Sequence, residues 1–410
     1  MMKKPAVISI MNRKGGSSKS TLSMNLAYMY GQNGYKVLLI DADPQASATQ
    51  NLGIDRNIGN SPEISINSLS RVAKTLREKA SDDYEIDDLF GLPSHEEEEK
   101  SKYTGLHDLI YNSFFGIEIT QTDIANAVVQ PVYKVEMRPK EIKEYLKDRP
   151  ADISDLSKKY YRTYKFGIDL LPSSEEVADD ELDISLDQDE RRAKMKGLHL
   201  ANIIRAIKYY YDYDIILIDC PPSLGIMSIN AMAASDGIVV AVMPDEQSLW
   251  SLQKLKKNVR QIKQKIPGHL GILGVAVNNA PRSSQIMPVI SYKITSVLGL
   301  YQFKTVIHHS ANAQKATAGG LLFSQIDGNA NAEFEQLGKE ILERHAVSTA
   351  WESYRRQQTD ELLKKYKDDL EYRDMTDSEI LDEIRKEYTR GDLWDKPKSI
   401  PDERYWKENK

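Results

Sequence analysis

Short apolar runs recur along this chain, and each gives way to polar, glycine or proline residues. Ala6-Val7-Ile8-Ser9-Ile10 is the first and Lys36-Val37-Leu38-Leu39-Ile40 the second; residues 168–171, 215–218, 238–242 and 272–277 repeat the pattern. Runs this short and this continuous are expected of strands buried on both faces, as in a parallel sheet. Leu22 to Tyr30 carries helical patterning between the first two runs, so the chain reads strand, loop, helix, strand. That alternation predicts an α/β fold: a mostly parallel twisted sheet flanked by helices. In such sheets ligands gather where the strands end, and the polar residues after each run mark those places.

Three stretches break the rhythm. Residues 54–103 are polar, rich in Ser, Asn and Asp, and end in the acidic run Glu96 to Glu99, which predicts a surface insertion. Residues 112–165 alternate small apolar patches with Lys, Tyr and Asp and predict helical decoration. After Val347 the composition turns to Glu, Asp, Lys, Arg and Tyr. Helical spacing there at Leu362, Leu363, Tyr366 and Leu370, then at Ile380, Leu381 and Ile384, predicts a charged helical tail. The expected organisation is one domain over 1–346, with insertions at about 54–103 and 112–165, and a C-terminal extension over 347–410.

Composition narrows the class. A chain of 410 residues with 40% hydrophobic and 28% charged residues has the balance of a soluble globular protein, and no run approaches a membrane span. Met1 to Lys4 lead straight into the first strand, so no secretory signal is expected and the expected location is cytoplasmic. A single cysteine, Cys220, excludes a disulfide framework within the chain. The formal net charge of −6 argues against a globally basic nucleic-acid binder and leaves room for local basic surface.

The chemistry is concentrated at the strand ends. Between the first strand and its helix stands Arg13-Lys14-Gly15-Gly16-Ser17-Ser18-Lys19-Ser20-Thr21. Glycines let consecutive amide N–H groups turn inward, and the helix that follows brings its positive end to an anion. Lys19 then meets the β and γ phosphates of a nucleotide and Ser20 ligates Mg²⁺. Lys14 is a second lysine in a loop that needs one, and Ser18 stands where such loops ordinarily carry glycine. Asp219 ends the strand over 215–218 and is placed to hold Mg²⁺ through water. Asp41 and Asp43, two residues apart at the end of the second strand, share a direction in extended backbone. One would support the metal and the other orient a water; capping of a helix beginning near Ala46 is the alternative role for either.

Lys14-Gly-Gly-Ser-Ser-Lys-Ser-Thr, Asp41-Ala-Asp-Pro-Gln and Ile218-Asp-Cys-Pro-Pro-Ser together resemble the deviant Walker A P-loop ATPases of the ParA/MinD superfamily, and Asp-Pro-Gln resembles the ParA branch. The likeness continues through Gly105-Leu-His-Asp-Leu-Ile, Ile168-Asp-Leu-Leu-Pro-Ser, Val242-Met-Pro-Asp-Glu-Gln-Ser-Leu and Gly274-Val-Ala-Val-Asn-Asn, in the family's order. The resemblance implies ATP and Mg²⁺ as cofactors. It makes Lys14 the signature lysine that crosses to a partner's nucleotide in an ATP-sandwich homodimer. Gly15, Gly16, Ser17, Ser18, Lys19, Ser20 and Thr21 would cradle the phosphates, Asp43 would orient the hydrolytic water, and Asp41 and Asp219 would support the metal. Asn278 falls where the family contacts the base, with Asn279 nearly as well placed.

The same family binds DNA nonspecifically as the ATP dimer, on the nucleoid, and answers to a ParB-like centromere-binding partner. Leu249, Leu252, Leu255, Val259, Ile262 and Ile266 predict a helix with one buried face. Lys254, Lys256, Lys257, Arg260, Lys263 and Lys265 lie between them and predict a phosphate-backbone footprint, a solvated face being the bland reading. Arg282, Lys304 and Lys315 lie where relatives carry DNA-contacting cations. Two other readings remain: an ATP-switched scaffold that positions another cargo, and a bacterial tyrosine kinase drawing on Tyr354, Tyr366, Tyr372, Tyr388 and Tyr405 of the tail. A membrane-targeting tail is not expected, because the last residues carry prolines and mixed charges without a wide apolar face.

Overall fold

The computed structural model describes residues 5–12, 14, 18–54, 105–136, 161–189, 195–265, 270–282, 286–318 and 320–367. Apart from Ile54, the insertion expected over 54–103 lies outside the described residues, as does the tail spacing at Ile380, Leu381 and Ile384.

Six strands form one sheet: β1 (Ala6–Met11), β2 (Val37–Asp41), β5 (Asp169–Leu171), β6 (Ile215–Asp219), β7 (Gly237–Val242) and β8 (Ile272–Val277). Their order is β5-β2-β6-β1-β7-β8 and every pairing is parallel. The apolar runs are continuous because both sheet faces are covered. In β1, Val7 and Met11 join the core on one face and Ala6, Ile8 and Ile10 join the core on the other. The polar exception, Ser9, points with Val7 and is satisfied by the Ala231 carbonyl and the Ser235 hydroxyl.

Helices α1 (Lys19–Gln32) and α2 (Ser47–Asn51) pack on one face. The other face takes α3 (Leu106–Phe115), α4 (Gln121–Ala127), α5 (Glu176–Leu186), α6 (His199–Tyr210), α7 (Ile226–Ala234) and α8 (Glu246–Lys265). Beyond β8 come α9 (Met287–Tyr292), continued by a π turn over Lys293–Val297, then α10 (Asn312–Ala318), α11 (Phe323–Ile326) and α12 (Gly328–Lys367). From β1 the chain crosses over β6 to β2, and from β6 it crosses over β1 to β7. The order therefore reverses beside β1, and a crevice opens at the carboxyl ends there. Gly237 permits the close approach of β7 and β8: a Cβ at this position would lie 2.5 Å from Leu273.

The region 112–165 requires correction. Within it, helix α4 is not decoration, since Ile124 and Ala127 are buried in the main core. Further along, β3 (Val132–Glu136) and β4 (Tyr161–Lys165) pair antiparallel as a second small sheet. Tyr133 and Tyr164 stack across it with ring centroids 5.5 Å apart. Val132, Tyr133 and Val135 favour strand, and the cross-strand aromatic pair adds to that preference; residues 137–160 lie outside the described residues. The chain divides into two compact units, Met1–His345 and Ala346–Lys410; the described residues of the second, 346–367, are helical.

Candidate functional site

Asn12 begins the loop after β1. Its amide donates to the Ala241 carbonyl of β7 at 2.6 Å, and its Oδ1 accepts from the Lys14 N–H at 3.1 Å. Arg13, Gly15, Gly16 and Ser17 lie outside the described residues. Ser18 precedes α1 with φ 58° and ψ 30°, a left-handed conformation natural to glycine. The usual glycine of such loops thus has a backbone reason, and serine holds the position under strain. The Ser18 carbonyl accepts from Leu22 N and from the Asn278 side chain. Asn278 directly follows β8, so this contact ties the loop to the far edge of the sheet.

Lys19 is buried at the head of α1, while Ser20 and Thr21 are half-buried beside it. Asp41 and Asp219 are directly paired in register at the ends of β2 and β6, and both are fully buried. Burial drives the pKa of each upward. The charge of Asp219 adds to this at Asp41, where bonds from Thr49 oppose it; Ser20 and the Lys19 ammonium oppose it at Asp219. Asp219 Oδ1 accepts from Ser23 Oγ at 3.0 Å, but Oδ2 is buried without a partner. Two facing buried carboxylates and an orphaned oxygen are short of positive charge, and a cation fits there. No cluster of three or more His, Cys, Asp or Glu forms a closed metal site among the described residues. A cation held here therefore draws other ligands from phosphate, hydroxyl and water, which is how Mg²⁺ is commonly bound.

Asp41 also does what the capping alternative proposed. Its Oδ2 accepts from the Thr49 N–H at 2.8 Å and the Thr49 hydroxyl at 2.7 Å, at the start of α2. Thr49 Oγ1 in turn accepts from Ser173 N at 3.0 Å, linking the ends of β2 and β5. Asp43 is buried, and its Oδ1 accepts from Gln45 N at 3.0 Å, which fixes the carboxylate at the crevice. Lys14 lies on the other flank of β1, with its ammonium 2.9 Å from Asp245 Oδ2. Sequence reasoning missed Asp245. Its signal was a carboxylate directly after a buried strand, in Val242-Met-Pro-Asp.

The cationic helix is α8. Leu249, Leu252, Leu255 and Val259 are buried as expected, each such side chain contributing about 1.5–3 kcal/mol of burial, and Ile262 is half-buried. Of the four cations whose side chains are described, three share one face and Lys256 does not. Lys254, Lys257 and Arg260 lie on the exposed stripe with Trp250 and Gln253 at its head. Lys256 is turned to the Leu298 carbonyl, and the side chains of Lys263 and Lys265 are outside the described set. Arg282 lies 3.8 Å from Glu333; Lys315 is exposed in α10; Lys304 is exposed, with its N–H on Glu340. Four of the tail tyrosines expected by the kinase reading lack described side chains or lie beyond Lys367, and Tyr354 also lacks one. No described helix is long and apolar enough to cross a membrane.

A model of the AAA domain family AAA_31 matches residues 5–97 and 108–272. The sporulation initiation inhibitor protein Soj of Bacillus subtilis is 25% identical over 314 residues, which span 77% of this chain and 88% of that protein. The chromosome partitioning protein ParA of Caulobacter vibrioides is 22% identical over 340 residues, 82% of this chain and 94% of its own. Among solved structures, McdA of Cyanothece in an ATP complex is similar with a TM-score of 0.54 at 19% identity, covering 82% of this chain and 96% of McdA, a likeness of fold.

Proposed function

The chain belongs to the AAA domain family AAA_31 and is a P-loop ATPase of the ParA/MinD type, and from that premise we propose that it is a DNA partition ATPase. In this reading Mg²⁺–ATP binds at the crevice, two chains close over two nucleotides by way of Lys14, and the dimer holds DNA nonspecifically on the nucleoid. A ParB-like centromere-binding partner then stimulates hydrolysis and release, so that a plasmid or chromosome is segregated. The observation that carries the reading is the convergence of Lys19, Asp41, Asp43 and Asp219 on one side of β1, with Lys14 on the other side against Asp245 and half-exposed.

Lys19, Ser20, Thr21 and the loop amides would take the phosphates, and Ser20 with Asp219 and Asp41 would hold the metal. The cation neutralises charge on the terminal phosphates. Asp43 would orient the water whose oxygen bonds to the terminal phosphorus as the β–γ bridging bond breaks, giving ADP and phosphate. Lys14 supplies charge where its own loop has less need of it, which suits a nucleotide on the partner chain.

The exposed stripe of α8 supports DNA binding through the phosphate backbone. Reversing the charge of Lys254, Lys257 and Arg260 together should abolish ATP-dependent retention of DNA and leave nucleotide affinity unchanged. A gel shift like that of the unaltered protein would assign the stripe to solvent.

A further inference from the structure

Residues 301–309 run beside β8 and continue the sheet edge. Val275 N donates to Tyr301 O, Phe303 N to Val275 O, Ile307 N to Val277 O and His309 N to Ala280 O, at 2.8–3.0 Å. The outer side of this segment is clasped by carboxylates. Glu340 accepts from Lys304 N, Thr305 N and Thr305 Oγ1; Glu333 accepts from His308 N and lies 2.7 Å from His308 Nδ1; Asp327 accepts from Ser310 Oγ and Asn312 Nδ2. In extended backbone neighbouring side chains face opposite ways. His308 therefore turns to Glu333, and His309 turns to the strand end, where its Nδ1 lies 2.8 Å from Asn279 Oδ1.

That contact fixes a tautomer. An amide oxygen only accepts, so Nδ1 of His309 carries the proton, and in the neutral imidazole Nε2 presents a lone pair from an exposed ring. Asn279 is itself held in left-handed backbone at φ 57°, and its N–H is bonded to Asn278 Oδ1 at 2.8 Å. Asn278 reaches back to the Ser18 carbonyl of the phosphate loop at 3.2 Å. A continuous set of contacts thus runs from the loop to Nε2 of His309. The buried carboxylates that would face metal and terminal phosphate stand on the β6/β2 flank, which leaves the β7/β8 flank for the nucleoside.

We propose that His309 is a base-reading residue that selects adenine through its 6-amino group. The inference rests on the nucleotide reading above. An acceptor at this point pairs with an exocyclic amine, and it faces a lone pair when the base carries a 6-oxo group, as hypoxanthine and guanine do. Glu333 and Glu340 are positioning residues that hold the segment in register.

The test is equilibrium binding of ATP and ITP, with Mg²⁺, to the full chain by calorimetry. The unaltered protein should prefer ATP roughly tenfold, the scale of one hydrogen bond won and one unpaired acceptor avoided. His309→Ala should bring the ratio close to one mainly by weakening ATP, and His309→Gln, whose amide oxygen can accept, should restore part of it. Equal ratios in the unaltered protein and His309→Ala would overturn the inference while leaving the ATPase reading in place. Failure of the unaltered protein to bind either nucleotide would overturn both.

Discussion

Single residues at the crevice carry costs that a different side chain would relieve or worsen. Ser18 sits at φ 58° and ψ 30°, and left-handed backbone costs an L-residue about 1–2 kcal/mol, part of which glycine's greater unfolded freedom would offset. Ser18→Gly should raise the unfolding free energy by about 0.5–1 kcal/mol in urea titration. A loss of stability would show that the serine side chain is used. Thr49 works the other way. Its hydroxyl donates to Asp41 and accepts from Ser173, so Thr49→Val leaves a buried N–H and a buried carboxylate short of partners. About 2 kcal/mol of stability should be lost, and a change under half of that would remove Thr49 as the link between β2 and β5.

At the scale of elements, the strands of the six-stranded sheet were legible because both of its faces are covered and their runs are almost wholly apolar. The paired carboxylates were legible for the same reason, since Asp41 and Asp219 interrupt those runs at their ends. What sequence did not reveal depends on tertiary partners. Lys256 has the same residue type as Lys257, yet only the packing of α8 against residues 293–298 turns it to a carbonyl. The hairpin of β3 and β4 depends on pairing across 24 intervening residues, whereas helical spacing is a local signal.

The packing of α3 on α5 carries a pH signature. Burial lifts the pKa of Asp180 to about 6, with His107 at 3.0 Å opposing the shift. A carboxyl whose folded pKa exceeds its unfolded value of roughly 3.9 stabilises the fold fully below that value, and the contribution is lost as pH rises through about 6. The melting temperature of Asp180→Asn, relative to the unaltered protein, should therefore rise between pH 4 and pH 6. A difference that stays flat over that interval would contradict the shift.

For the whole molecule, the phosphate loop, the paired carboxylates and the cationic stripe of α8 belong to one unit, Met1–His345, so on the proposed reading nucleotide, dimer and DNA would be linked through one sheet. Linkage gives each ligand the same effect on the others: if ATP favours the dimer and the dimer favours DNA, DNA must favour the ATP dimer. On that reading Lys14 is where the coupling would be cut. Its ammonium is held by Asp245 in the single chain, away from the buried carboxylates. The decisive measurement is the solution mass of the unaltered protein and of Lys14→Ala, by light scattering with Mg²⁺–ATP. The account predicts that the unaltered chain doubles in mass and that Lys14→Ala binds ATP yet stays single; an ATP-driven dimer of Lys14→Ala would contradict it.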